Sequence, residues 1–341
     1  MLSWASSFPQ DEITVCLPSH SSLSGEEFRT LFGLGVRALR AGPSFRNHGL
    51  WALTTLGLHS KGFDAVLAQN FAPHFTSPRC TTVVFVHDAL FVDHPEWFTR
   101  PERIYLSAIR PNLRLAEVIL TSSGAEASRI GRVWPETRSR ITAIGLGVPI
   151  ALSTSASTPP EGMTPDRRPF ILSVGRLNIR KNLDRLISAF GTMDQEDYPF
   201  DLVIVGTANG QEGSYSISKL PPQIRFLGPV SDAELNWLYR QAALFAFPSL
   251  DEGFGLPLLE ARHFGAPSIA SDIEPFREIG AAVGYFDPLS IESISLALTA
   301  ALGLSGAETQ QATPASRVDP TWTKTVETAR HSLVQTRVRQ S

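Results

Sequence analysis

Short apolar runs alternate with amphipathic segments along most of the chain, which is the pattern of a parallel α/β protein. In the first half, the apolar runs predict strands at residues 13–17, 63–68, 81–87, 118–121 and 140–144. A helical pattern covers residues 102–115 between two of them. A stretch rich in Ser, Thr and Pro at residues 149–169 then interrupts the periodicity, and it predicts a linker.

The second half begins with a continuous apolar run at residues 170–174, which is typical of a strand buried on both faces. Leu183, Leu186, Ile187 and Phe190 follow with the i, i+3, i+4, i+7 spacing of a core-facing helix. Similar apolar runs predict further strands at residues 202–205, 224–227, 244–248, 268–270 and 283–286. This order is that of a doubly wound domain, in which ligands bind at the carboxyl ends of the strands.

Composition narrows the class of protein. The chain has 341 residues, 43% of them hydrophobic, which is enough for two domains. A net charge of −3 gives no reason to expect a nucleic-acid partner. Cys16 and Cys80 are too far apart to form a ligand spacing. No signal peptide and no apolar run of membrane-spanning length is found. We therefore expect a cytoplasmic protein, and peripheral contact with the inner face of the membrane is left open.

The most informative segment is the Gly-rich turn that follows the strand at 244–248. Gly253 and Gly255 let the backbone approach a ligand where a Cβ would clash, and the amides of the next helical turn suit phosphate or hydroxyl groups. Glu252 is placed to accept hydrogen bonds from sugar hydroxyls, and Glu260 lies further along the helix, where a ribose could meet it. Two carboxylates that bracket such a turn indicate a nucleotide-sugar site. The predicted donor-binding residues of the turn are Gly253, Phe254, Gly255 and Leu256.

A second candidate segment, residues 175–182, follows the strand at 170–174. Arg176 offers a planar fork and Lys181 a compact charge, both suited to phosphate oxygens. Taken alone, the segment is more typical of a solvated charged loop than of a binding site. Together with the Glu252 turn, it favours a phosphate site, and Arg180 is expected to face water. Protein cations at this place remove the need for a metal ion, so we predict no metal site and no cofactor.

The run from Pro248 to Ala261, with Gly265-Ala266-Pro267 and Phe286-Asp287-Pro288 after it, resembles the E-x7-E region of retaining GT-B glycosyltransferases of family four, known as glycosyltransferases group 1. Many bacterial mannosyltransferases belong to that family. The resemblance implies two Rossmann-like domains that face each other across a cleft. It also implies transfer of a hexose from a nucleotide diphosphate to a saccharide or lipid-linked acceptor, as in polysaccharide biosynthesis. GDP-mannose is the expected donor.

The same resemblance assigns roles to individual residues. Arg176 and Lys181 fall on the positions that hold the donor's diphosphate, and Glu252 and Glu260 on the two motif carboxylates. Val86 to Phe98 resembles a segment whose histidine lies near the transferred sugar, which assigns His87 as a catalytic-site contact. A histidine at a strand end more often only caps the strand. In similar enzymes the backbone of the turn that matches Gly228-Pro229-Val230 contacts the nucleotide base, which assigns Val230 as a base contact. An ordinary loop between a strand and a helix would explain the same residues equally well.

Two other functions remain open. A nucleotide-sugar epimerase or hydrolase would use the same scaffold without a carbohydrate acceptor. A non-catalytic partner subunit would bind nucleotide without any transfer. The motif carboxylates and cations are all present, which argues against decay of the donor site.

The predicted organisation is an acceptor-side domain at 1–148, a linker at 149–169, a nucleotide-sugar domain at 170–318 and a terminal helix at 319–341 that crosses back to the first domain. In similar enzymes a further strand and Gly-rich loop precede the strand predicted here at 13–17. We therefore expect the first domain to lack them and the native chain to start upstream of Met1. The stretch 28–51 predicts a packed helix with arginines outside, and contact with a lipid acceptor is the alternative.

Overall fold

The structure is a computed structural model, and it describes residues 2–18, 33, 35–41, 48–164, 168–194, 196–207, 220–303 and 321–340. The chain divides into two compact units. Unit 1 comprises Met1–Ala89, Pro101–Leu146 and Pro320–Ser341, and unit 2 comprises Leu90–Arg100 and Gly147–Asp319.

The described elements alternate between strands and helices. The strands are β1 (Thr14–Pro18), β2 (Arg37–Ala41), β3 (Ala65–Gln69), β4 (Thr81–Val86), β5 (Val118–Thr121), β6 (Ile141–Ala143), β7 (Phe170–Val174), β8 (Asp201–Val205), β9 (Ile224–Gly228), β10 (Leu244–Phe247), β11 (Ser268–Ser271) and β12 (Gly284–Phe286). The α-helices are α1 (Leu2–Ser7), α2 (His48–Thr54), α3 (Leu90–Asp93), α4 (Arg100–Ser107), α5 (Ile109–Asn112), α6 (Gly124–Val133), α7 (Ile150–Thr154), α8 (Leu183–Gly191), α9 (Asp232–Gln241), α10 (Leu256–His263), α11 (Glu274–Ile279), α12 (Ile291–Gly303) and α13 (Trp322–Gln340). Single 3₁₀ turns lie at Leu56–His59, Pro95–Trp97, Leu113–Leu115, Pro135–Arg140 and Ile179–Lys181.

Unit 1 contains two parallel sheets. Strands β1 and β2 pair with each other, and the second sheet has the order β3-β4-β5-β6. Helix α13 packs on this second sheet, where Ala329 joins the buried side chains of Val83, Val118 and Leu120. Asp11 accepts a hydrogen bond of 2.7 Å from Nε of Arg330, so the C-terminal helix is also held to the segment that follows α1. The first and last described segments thus belong to one core.

Unit 2 has one six-stranded parallel sheet with the order β12-β11-β10-β7-β8-β9. The chain runs outward from β7 to β9 and then crosses to β10 on the other side of β7, so the strand order reverses between β7 and β10. The carboxyl ends of these two strands therefore form the switch point at which doubly wound domains bind ligands. Helix α8 covers the sheet with the predicted stripe: Leu183, Leu186 and Phe190 are buried, and Ile187 packs against them.

The predicted strands agree with the observed ones to within two residues at each end, and 118–121 and 170–174 coincide with β5 and β7. The helical segment predicted at 102–115 is confirmed, and it is divided into α4, α5 and a 3₁₀ turn. Pro111 lies within this region and cannot donate a backbone hydrogen bond. Among the described residues, no helix is both long and apolar enough to cross a membrane.

The predicted helix at 28–51 is wrong at Arg37–Ala41, which forms β2 instead. The five residues pair in parallel with β1, from Thr14 opposite Arg37 to Pro18 opposite Ala41. This pairing is non-local, so the local sequence pattern does not reveal it. Residues 28–32, 34 and 42–47 lie outside the described part of the chain, and α2 begins at His48.

Candidate functional site

The loop after β7 is built so that a lysine side chain folds back against the strand end. A Cβ on Gly175 would lie 2.8 Å from Cε of Lys181, so only glycine leaves space for that side chain. Asn178 caps the 3₁₀ turn at Ile179–Lys181, and its Oδ1 accepts a hydrogen bond of 3.2 Å from the Lys181 amide. Lys181 is consequently buried, with 8% of its surface exposed.

Asn182 ties this loop to the neighbouring strand ends. It adopts a left-handed conformation with φ of 56°, which asparagine tolerates better than most residues. Its Nδ2 donates hydrogen bonds to the backbone carbonyls of Pro248, at 3.0 Å, and of Pro288, at 2.7 Å. The asparagine that follows Lys181 therefore fixes the distance between the β7 and β10 loops.

Glu252 is the centre of a buried ion-pair cluster. Its carboxylate accepts hydrogen bonds from Lys181 Nζ at 2.5 Å, from Ser249 Oγ at 2.9 Å and from the Arg180 guanidinium. Burial by itself raises the pKa of Glu252, but the charges of Arg180 and Lys181 outweigh it and lower the pKa to about 2. The carboxylate is therefore ionised at every physiological pH.

The cluster also shapes the environment of Lys181. Burial lowers the pKa of this ammonium group, and the negative charge of Glu252 opposes that effect. Nζ lies 4.5 Å from the centroid of the Phe247 ring, which adds a cation–π contact. We regard the ammonium as charged, because it donates to an ionised carboxylate at short range.

The expectation that Arg180 faces water is wrong. Its side chain is only 20% exposed, and it donates to Glu252 and, at 3.2 Å, to the carbonyl of Asp251. The contact spans 72 residues of sequence and exists because β7 and β10 are neighbours in the sheet. Sequence reasoning also missed Ser249, Asn182 and Tyr239, which are described with their partners in this subsection.

Glu260 is buried on α10 and meets a tyrosine from the preceding helix. Tyr239, on α9, donates its hydroxyl to Oε2 of Glu260 at 2.8 Å. Burial raises the pKa of Glu260, and the bond from Tyr239 opposes the rise. Burial and the negative charge of Glu260 together hold the pKa of Tyr239 well above its usual value.

The Gly-rich turn leads directly into α10. Gly253 and Phe254 are buried, and Leu256 is the first helical residue. Gly255 has a φ of +112°, and a Cβ there would lie 2.7 Å from Cε1 of Phe276, so this position requires glycine. Gly255 has no side chain to cap α10, Pro257 has no amide hydrogen, and the Leu258 amide donates to the Gly255 carbonyl at 3.0 Å. Within the described residues the amide of Leu256 makes no hydrogen bond, so it remains available to a ligand.

The other predicted donor contacts of unit 2 are more exposed. Arg176 follows Gly175 at the end of β7, is exposed and makes no ion pair with the residues that the structure describes. Val230 is half-buried in the turn after β9. Ser231 and Glu234 form a capping box at the start of α9. Contact of Arg176 with phosphate and of Val230 with a base stay predictions.

His87 lies in unit 1, where it follows the carboxyl end of β4 and is exposed. Its ring packs edge-on against Phe85, with centroids 5.0 Å apart, and Nε2 lies 3.4 Å from Oε1 of Gln69. Asn70 accepts a hydrogen bond of 3.2 Å from the His87 amide. The fully buried Glu126 accepts the amide of Ala89 at 2.7 Å, which fixes the loop just beyond His87.

The structure thus brings most predicted site residues together at the switch point of unit 2. Lys181 and Glu252 are in direct contact, and Glu260 lies on the helix that the Glu252 turn begins. His87 is placed in the other unit. Within the described residues, no group of three His, Cys, Asp or Glu side chains could hold a metal ion. Metal independence remains a prediction.

Comparison with protein families adds the deciding observation. Residues 157–310 match the family described as "Glycosyl transferases group 1". This part of the chain is therefore similar to a group 1 glycosyl transferase domain. That match covers the whole of the switch-point cluster described above, from Gly175 to Glu260.

Individual relatives of this glycosyl transferase domain are mannosyltransferases. The O-antigen chain mannosyltransferase B of Escherichia coli is 28% identical over 66% of this chain and 61% of its own length. The serotype-specific mannosyltransferase WbdA of Escherichia coli is 36% identical over 39% of this chain and 17% of its own length. The phosphatidyl-myo-inositol mannosyltransferase of Mycobacterium leprae is 30% identical over 47% of this chain and 44% of its own length. The chain therefore spans less than two thirds of each of these relatives.

Solved structures are similar over nearly the entire chain. Sucrose-phosphate synthase from Thermosynechococcus elongatus has a TM-score of 0.64 at 18% identity, covering 100% of this chain and 92% of that one. The Anabaena protein Alr3699/HepE, solved in complex with UDP-glucose, has a TM-score of 0.60 at 16% identity. The similarity covers 99% of this chain and 93% of that one. These similarities confirm the predicted GT-B fold class.

Proposed function

We propose that the protein is a retaining glycosyltransferase that moves a hexose from a nucleotide-diphosphate sugar to a saccharide or lipid-linked saccharide. The observation that carries this proposal is the buried cluster of Lys181, Arg180 and Glu252 at the switch point of unit 2. It lies beside the Gly-rich turn that begins α10, where the amide of Leu256 makes no hydrogen bond within the described residues. Cations and helix-terminal amides at one place suit a diphosphate.

Bond cleavage would leave a nucleoside diphosphate that gains negative charge as it departs. Arg176, which is exposed and unpaired among the described residues, and Lys181 can stabilise that charge more strongly in the transition state than in the bound donor. Glu252 holds the Lys181 ammonium in place at 2.5 Å before the donor binds. The site is therefore organised in advance, and little rearrangement is needed during the reaction.

Glu252 has two tasks in this proposal. One carboxylate oxygen orients the lysine, and the carboxylate as a whole accepts hydrogen bonds from hydroxyls of the transferred sugar. Its lowered pKa keeps it an acceptor throughout the physiological range. Retention would follow from attack on the front face of the sugar, with the leaving phosphate accepting the proton of the acceptor hydroxyl. His87 is the proposed contact with the sugar or the acceptor.

Mannose is the proposed sugar and GDP-mannose the proposed donor. The support is the similarity to the mannosyltransferases of Escherichia coli and Mycobacterium leprae, which ranges from 28% to 36% identity. The similarity to a structure that contains UDP-glucose is a similarity of fold alone. The donor base and the acceptor therefore need direct measurement.

A donor screen followed by a transfer assay tests the proposal. The full chain is mixed with GDP-mannose, UDP-glucose or ADP-glucose, and the shift in melting temperature is measured. Methyl α-mannoside is then offered as acceptor, and NMR reports the anomeric configuration of the product. We expect stabilisation by GDP-mannose and an α-linked product. Turnover of the donor without acceptor would indicate an epimerase or hydrolase, and binding without turnover would indicate a non-catalytic subunit.

A further inference from the structure

The contact between Tyr239 and Glu260 links two helices at the candidate donor site. Tyr239 lies on α9 and is completely buried, and Glu260 lies on α10 and is 8% exposed. The tyrosine hydroxyl donates to Oε2 of Glu260 at 2.8 Å. A buried hydroxyl needs a hydrogen-bond partner, and this carboxylate supplies it.

The tyrosine ring has little freedom to move away from the carboxylate. It stacks on Phe264 at a centroid distance of 5.8 Å and an interplanar angle of 11°. Phe245 packs against it edge-on at 5.6 Å. Because aromatic neighbours hold the ring on two sides, the hydroxyl has one position, and that position fixes Oε2 of Glu260.

The second oxygen of Glu260 is left for another donor. Among the described residues, no hydrogen-bond donor contacts Oε1 of Glu260. An ionised carboxylate can accept about four hydrogen bonds, so the group retains capacity after Tyr239 has bound. Glu260 lies on the helix whose first turn, beginning at Leu256, follows the Gly-rich loop. A donor bound at that loop would be near this oxygen.

We propose that Tyr239 is a positioning residue: its hydrogen bond orients Glu260 for the ribose contact that the motif resemblance already implies, and it thereby sets how strongly the site prefers ribonucleotides over deoxyribonucleotides. This inference rests on the proposed function, since it requires a nucleoside diphosphate at the switch point. Tyr239 would not touch the ligand. Its effect would pass entirely through the carboxylate of Glu260.

The burial of Glu260 also supports a positioning role for Tyr239. Burial favours the protonated form of Glu260 and raises its pKa, and the Tyr239 bond counteracts that effect. A protonated carboxyl group can accept fewer hydrogen bonds than a carboxylate. Removing the tyrosine hydroxyl would therefore loosen the orientation of Glu260 and weaken it as an acceptor for ribose.

The test compares ribose discrimination in two variants that each remove one hydroxyl. Tyr239→Phe keeps the ring and deletes the bond to Glu260. Tyr285→Phe is the matched control, because the Tyr285 hydroxyl donates to the backbone carbonyl of Phe276 at 3.2 Å and not to a site carboxylate. Calorimetry measures the Kd of GDP, 2′-deoxy-GDP and 3′-deoxy-GDP for the full chain.

We expect the wild-type protein to bind GDP about 10- to 100-fold more tightly than one of the deoxy analogues. In Tyr239→Phe the ratio of the Kd of this deoxy analogue to the Kd of GDP should fall to about threefold or less. The Kd of the deoxy analogue itself should stay nearly the same. Glu260→Gln should lower the ratio similarly, and the double variant should lose no more than Glu260→Gln alone. Tyr285→Phe should keep the wild-type ratio.

The outcomes separate this inference from the proposed function. If wild type binds none of GDP, UDP or ADP, the proposed function fails and the inference fails with it. If wild type binds a nucleotide and Tyr239→Phe keeps the full ribose preference, the inference alone is wrong. Should Tyr239→Phe not fold, Glu260→Gln decides, since an unchanged preference in that variant would also overturn the inference.

Discussion

The strand ends of the two units carry different chemistry. In unit 2, charged groups are buried against each other: Glu252 accepts from Lys181 and from Arg180, and their side chains are at most 20% exposed. In unit 1, His87 is exposed, and its neighbours include the uncharged amides of Gln69 and Asn70. The first arrangement holds charged groups in a fixed geometry, and the second places a polar side chain at the surface.

This difference suggests how the two units divide the work. A diphosphate has the same charge and shape in every nucleotide sugar, so a preorganised charged site serves it well. Acceptors vary in size and chemistry, and in the proposed function His87, which is exposed, would constrain them less. The predictions that follow test whether the two regions have these separate roles.

The largest expected effect is at the cations of unit 2. Lys181→Ala and Arg176→Ala should each lower kcat/KM by roughly 30- to 1000-fold, because each loses a charge-assisted contact worth about 2–4 kcal/mol to the leaving group. Steady-state kinetics with GDP-mannose measures the loss. Lys324→Ala, which removes an exposed lysine of α13 in unit 1, is the control.

The same pair of variants should differ in stability. Lys181→Ala removes a partner of the buried Glu252 and should destabilise the fold by about 1–3 kcal/mol, whereas Arg176 is exposed and its removal should leave the melting temperature nearly unchanged. Near-normal kinetics in both variants would remove the phosphate assignment and, with it, the contrast between the units.

A substitution in unit 1 should separate turnover from nucleotide binding. His87→Ala should lower the transfer rate by roughly 10- to 100-fold, as expected for one lost polar contact near the reacting sugar. The Kd of GDP should change by less than about twofold, because the proposed nucleotide contacts belong to unit 2. Calorimetry beside an activity assay measures both. Equal losses in rate and affinity would point to damaged packing instead.

Acid should weaken unit 2 through its ion-pair cluster. The pKa of Glu252 is lowered to about 2 from an ordinary value of 4.5, so its contribution is complete above pH 4.5 and is lost as the pH falls toward 2. By linkage this contribution is about 3 kcal/mol. Urea unfolding between pH 3 and 7 should show a shallower acid limb for Glu252→Gln than for wild type.

An exposed carboxylate provides the control for that experiment. Glu96 has a side chain that is 63% exposed, and Glu96→Gln should leave the acid limb of the wild-type protein unchanged. Identical acid limbs for wild type and Glu252→Gln would show that the cluster does not hold Glu252 in its ionised form.

The smallest expected effect is that of chelation. If the side chains of Arg176 and Lys181 and the first turn of α10 supply the positive charge, excess EDTA should change the transfer rate by less than about twofold. Initial rates before and after chelation measure this. Loss of activity that magnesium or manganese restores would mean that the protein cations do not suffice.

Local sequence patterns predicted much of the fold and part of the site. The strands β7 and β10 were predictable from short apolar runs, and Gly175 and Gly255 from their places at strand ends. Strand β2 was not, because its pairing with β1 depends on contacts that are distant along the chain. Packing within one helix or strand produces a periodic pattern of apolar residues in the sequence. Pairing between distant strands produces no such pattern.

The amino-acid sequence by itself therefore determined the order of elements, the Gly-rich turn, the presence of Lys181 and Glu252 near strand ends and that of Glu260 on the following helix. Only the tertiary structure decided the partners of these side chains. Arg180 meets Glu252 across 72 residues and Tyr239 meets Glu260 across 21. Hydrogen bonds and ion pairs act over about 3 Å, so they depend on sheet order and helix packing, which bring distant segments together.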